Sequence, residues 1–138
     1  MKKMYLLFFI LTGLFYSCAP KSEHKASDEQ WPEMDSFHDL MAAAYHPVYD
    51  SSNLEPAKAL AEKLAASASS WSQAELPERV NNENVRNTLI ILRDSSASFS
   101  AAVASGQPDS VVKARITGLH DIFHKLHGAW EKHEHKEH

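Results

Sequence analysis

Nine of the 138 residues are histidine, and they are not spread evenly. His38 and His46 lie close together, His120, His124 and His127 share one short stretch, His133, His135 and His138 end the chain, and His24 stands alone. Imidazole ligates zinc, copper, nickel and haem iron, so these positions are the first candidates for chemistry. The sharpest piece reads His120-Asp121-Ile122-Phe123-His124-Lys125-Leu126-His127. On a helix, residues four apart rise from one face a turn apart, so His120 and His124 can offer two nitrogens to one ion. His127 shares their flank. At about 100° per residue, His127, His120 and His124 lie about 60°, 80° and 120° from a stripe centred on Leu119, Phe123 and Trp130. Those are boundary positions. Asp121 is a candidate partner for a ligand's second nitrogen, although it points away from the stripe.

A first and a last helix are neighbours in an up-down bundle, and that brings more donors into range. The end of the first helix returns towards the middle or first half of the fourth, so His46 is expected to complete a three-imidazole set with His120 and His124. Such a set, with an open fourth position, suits zinc or copper(II). His38 is expected nearer His124 and His127. Met34 and Met41 open a different reading, since methionine and histidine on the outer helices of a bundle is how small b-type cytochromes hold haem b. Met41 or His38 would then face one histidine of the fourth helix. No Cys-x-x-Cys-His motif occurs, so covalent haem is excluded. The His-rich tail, residues 132–138, could bind transition metals loosely.

Four helical patterns must position these residues. Pro32 suits a first turn and Glu33 and Asp35 favour the helix dipole. Met34, Phe37, Met41, Ala44, Tyr45 and Val48 follow at helical spacing. This helix is expected to stop near His46-Pro47, because the residue before a proline is pushed out of the α region. Leu54, Ala57, Leu60, Ala61, Leu64, Ala68 and Trp71 mark a second helix, capped by Ser52 or Asn53. Val85, Leu89, Leu92, Phe99 and Val103 mark a third, predicted from Glu78 to Ser105. Gly106-Gln107-Pro108-Asp109 leads to a fourth, with Val112, Ile116, Leu119, Phe123, Leu126 and Trp130 on one face. With no alternating strand pattern, the expected fold is all-α, an antiparallel up-down-up-down four-helix bundle over residues 31–131.

The N-terminal segment speaks to location. Lys2 and Lys3 precede an apolar run from Tyr5 to Tyr16, too short to span a bilayer and of signal-peptide length. Ser17-Cys18-Ala19 resembles the lipobox of bacterial lipoproteins, although Phe15 and Tyr16 are bulkier than usual there. That resemblance implies cleavage after residue 17, lipidation of Cys18 and a flexible tether over residues 18–30. A single cysteine in an exported chain has no disulfide partner, which agrees with a lipid anchor. Ala19 in place of aspartate resembles the pattern by which lipoproteins of Gram-negative cells are sorted to the outer membrane, which implies its periplasmic face. Loss of Lys2 and Lys3 takes the formal charge from −4 to −6.

Tyr45-His46-Pro47, Asn53-Leu54-Glu55-Pro56 and Leu119-His120-Asp121-Ile122-Phe123-His124 resemble segments of small exported bacterial proteins similar in architecture to the cytochrome b562 and cytochrome c′ bundles. The resemblance runs from about Phe37 to Gly128 and marks His46, His120 and His124. Other classes are disfavoured. No basic stripe suggests nucleic acid. No Gly-x-Ser-x-Gly elbow or paired carboxylates suggest a hydrolase, so no enzymatic role is expected. The expected function is metal handling by a membrane-anchored bundle. Haem-based electron transfer and a cofactor-free interaction module remain as alternatives.

Overall fold

A computed structural model describes residues 30–134. The expected signal segment 1–17, Cys18 with the tether to residue 29, and the tail residues His135 and His138 lie outside the described residues. Four helices form: α1 (Pro32–Ser51), α2 (Glu55–Gln73), α3 (Glu83–Ala104) and α4 (Asp109–Glu134). A 3-10 turn, Glu78–Val80, precedes α3, and the described residues contain no strand. Helix α1 packs on α2, α2 on α3 and α3 on α4, while α4 returns to α1 along a thinner seam. This is the up-down-up-down bundle that the four apolar stripes require.

The stripes supply the core. Met34, Phe37, Met41, Ala44 and Val48 of α1 and Val112, Ile116, Leu119, Phe123, Leu126 and Trp130 of α4 are all buried. Ala57, Ala61 and Ala68 keep the α2 face small, and Ser96 and Ala102 do the same on α3, so these helices can approach closely. One end is closed by all three tryptophans. Trp31 meets Trp71 edge-on at 5.0 Å and Trp130 at 5.5 Å, and the Arg79 guanidinium lies 3.1 Å from the centre of the Trp130 ring.

Three boundaries differ from the sequence expectation. Helix α1 does not stop at His46 but runs through Pro47 to Ser51. Pro47 removes one ladder donor, a cost of about 3 kcal/mol. The extra turn buries Val48 completely, and that burial returns about 1.5–3 kcal/mol. The helix ends instead at Ser52, in the left-handed region (φ 54°), where the N–H groups of Ser52 and Asn53 donate to the carbonyls of Val48 and Pro47. The third pattern begins at Glu83 rather than Glu78, because Asn82 accepts the Val85 N–H at 3.0 Å and caps the helix there. At its other end Gly106 takes φ 67° and passes Gln107 N–H to the Ala102 carbonyl, a Schellman closure. Helix α4 in turn continues past residue 131, to Glu134.

Ser96 is fully buried on α3 and its hydroxyl has no hydrogen-bond partner. A buried unpaired hydroxyl costs about 1–3 kcal/mol. Ser96→Ala is therefore expected to raise stability by about 1 kcal/mol, whereas Asn82→Ala, losing the cap, lowers it by about 1 kcal/mol. Urea denaturation of the two variants checks the opposite signs.

Candidate metal centre on the seam between α1 and α4

Helix α4 carries the site because its buried stripe faces the core and leaves His120 and His127 against Tyr45 and His38 of α1, with His124 turned outwards beside a groove shared with Val85 and Thr88 of α3. The structure brings His120 and His124 together: their Nε2 atoms are 3.1 Å apart and the rings stand edge to face at 4.4 Å. Tyr45 of α1 stacks on His120, with ring centres 3.8 Å apart and planes 18° apart. That stack fixes the His120 ring and covers one of its faces. It also explains why the His120 side chain, 23% exposed, is more sheltered than that of His127 at 35%. His124 is exposed.

A turn further along, Phe123 is the shared surface. His38 stacks on its ring at 5.5 Å with planes 8° apart, and His127 lies 6.1 Å from it. The His38 and His127 rings are 6.3 Å apart, and His127 Nδ1 is 3.5 Å from a Glu131 carboxylate oxygen. Sequence reasoning had not singled out Glu131 or the Tyr45 stack. The spacing of His127 and Glu131, four apart on a helix, was a usable signal for the first. The second is a contact between helices and left none.

His46 is placed differently from the expectation. Since α1 continues through Pro47, His46 is locked on the helix about 160° from the centre of the buried stripe, and it is exposed. Among the described residues no three metal-ligating side chains converge. The assembled donor set is thus the His120–His124 pair, with His46 near enough only for its charge to be felt at His120. Asp121 comes within 4.0 Å of His120 Nδ1, beyond hydrogen-bond length.

The residues named for haem fit it poorly. Met41 is buried in the core and His38 is exposed, and the space between α1 and α4 is taken by Phe37 and Phe123, their rings 5.7 Å apart. A macrocycle would have to displace both.

The pair has chemistry suited to a bare ion. Without metal, one Nε2–H donates to the other Nε2 lone pair. With nitrogens 3.1 Å apart and metal–nitrogen bonds of about 2.0–2.1 Å, a shared ion would see them at about 100°. That angle lies between the cis angle of a tetragonal site and the tetrahedral angle.

No family model, curated protein or solved structure matches this chain. The likeness to cytochrome b562 and cytochrome c′ therefore extends no further here than a small four-helix architecture. No described helix is long and apolar enough to cross a membrane.

Burial holds the His120 pKa below its ordinary value, the neighbouring charge of His124 lowers it further, Asp121 raises it and His46 lowers it. His120 is therefore mostly neutral at pH 7, with a lone pair to give. A depressed histidine pKa favours the fold above the unfolded value of about 6.5, and that contribution is lost as pH falls through the folded value. In an NMR titration of the metal-free protein, His120 is expected to titrate below 6.5. His124→Ala should move it up and Asp121→Asn further down; a His120 midpoint unmoved by both would refute this account.

Proposed function

We propose that this protein is a lipid-anchored metal-binding bundle of the cell envelope, holding a transition-metal ion, zinc or copper(II), at His120 and His124. One observation carries the reading: two imidazole nitrogens on adjacent turns of α4 already stand at chelating separation. Ligation by Nε2 needs the proton on Nδ1, and for His120 the Asp121 carboxylate lies on that side. The Tyr45 stack orders the first ligand in advance, which lowers the entropic cost of binding. The filled space between Phe37 and Phe123 favours an ion over haem.

The anchor rests on the N-terminal residues: Lys2 and Lys3, the apolar run to Tyr16 and the lone Cys18 ahead of Ala19. Together they support a lipoprotein on the periplasmic face of the outer membrane. There, a surface pair of imidazoles suits capture or buffering of metal ions rather than catalysis. His127, with Glu131, and His38 line the same seam and would exchange ions with the pair. The tail histidines would add loose sites of their own.

The test is metal titration by calorimetry on the full-length chain in detergent, free of any histidine tag and with His133, His135 and His138 changed to alanine. Zinc or copper(II) is expected to saturate at no more than one ion per chain. His120→Ala and His124→Ala should each weaken binding by about tenfold or more, since even outer partners of metal ligands matter by about that factor. His46→Ala should have a smaller effect. Binding that survives loss of both His120 and His124 would sink the proposal, and no binding at all would leave the interaction-module reading in its place.

A further inference from the structure

Two imidazoles leave a transition-metal ion short of ligands, and no third donor from the same chain joins them among the described residues. Resting on the metal-binding reading above, we infer that the remaining donors come from a second copy of this chain. One copper(II) ion is held by His120 and His124 of both copies, α4 lying antiparallel against α4.

The charge pattern of α4 is what selects this occupant. The midpoint of the histidine pair falls at Ile122. Lys113 and Glu131 lie equally far along the chain on either side of it. At about 100° per residue, both stand in line with the direction midway between the two imidazoles, each about 13 Å along the axis from the centre. Both are exposed. An antiparallel copy centred on the ion sets each Lys113 opposite the other copy's Glu131, so the surface is complementary to itself, as a twofold interface must be. A parallel copy would set like charges together.

The same arrangement names the metal. Antiparallel helices hold the two nitrogen pairs roughly in one plane around the ion, which is the tetragonal nitrogen geometry of copper(II). A tetrahedral zinc ion would turn the helices about 90° to one another and pull the Lys113–Glu131 pairs apart. Next to the ion, the aromatic run continues from His120 through Tyr45 to Tyr49, a residue 78% exposed in the last turns of α1.

Native mass spectrometry from non-ionic detergent tests this on the full-length chain with His133, His135 and His138 changed to alanine, after adding half an equivalent of copper(II) chloride. The expected species holds two chains and one copper ion, with an electron-paramagnetic signal typical of four equatorial nitrogens. It should be absent in His124→Ala. Glu131→Lys should weaken the copper-bound dimer by about tenfold, and the double exchange Lys113→Glu/Glu131→Lys should restore it. Copper held one per single chain would overturn the inference while leaving the metal-binding reading intact. Absence of bound copper and of bound zinc would overturn both. A dimer that forms without copper, persists in His124→Ala or ignores the charge exchange would overturn the inference alone.

Discussion

The ring of Phe123 is the contact on which the seam between α1 and α4 depends. It is buried in the core, yet it touches Phe37 and Trp71 on the inside and His38, His124 and His127 on the outside. One residue thus does two jobs. Its inner contacts close the bundle where the packing between helices is thinnest, and its outer contacts hold imidazoles at the surface. Burying an aromatic ring contributes several kcal/mol in a domain whose whole stability is about 5–15 kcal/mol. The histidines therefore stand on a rigid wall rather than on a loop. Chelation at the proposed site would gain from that, because a ligand held in place loses little freedom when an ion binds.

The parts of the fold legible in the sequence were those governed by period. The stripes of α2 and α4 appear in the core as the spacing of Leu64, Ala68 and Trp71, and of Leu119, Phe123 and Leu126, requires. Boundaries were less legible, since a local signal competes there with burial elsewhere. Pro47 is a strong local argument for ending a helix, and it lost because Val48 has a place in the core. At Asn82 the local signal won: the capping residue was in plain view, yet the helix was expected to begin at Glu78, five residues before its observed start. Ser96 could not be read as buried, because a serine on a helix is ordinarily a surface residue and only the close approach of α2 and α3 requires it inside.

The candidate site divides along the same line. The pairing of His120 with His124 follows from helix geometry alone and needed only the helix to be there. The expected third ligand depended on where α1 ended, so the misplaced boundary at Pro47 carried over directly into the position of His46. Had the helix stopped at Tyr45, the following residue would have been free to turn inwards. The continuing helix instead fixes it on the outer side. Tyr45, assigned to the core stripe by its spacing, is only half-buried and serves as a stacking partner. A contact of that kind between two helices leaves no periodic trace in either.

The closed end of the bundle has a practical meaning. All three tryptophans, Trp31, Trp71 and Trp130, gather there, and Trp130 lies under the Arg79 cation. Indoles held this close transfer excitation among themselves, so the protein's tryptophan emission behaves as one chromophore positioned where α1 begins and α2 and α4 end. Its intensity and colour register whether that end is shut. The opposite end, with the turns at Ser52 and Gly106, holds Tyr49 but no tryptophan, so fraying there would pass unseen in the tryptophan emission.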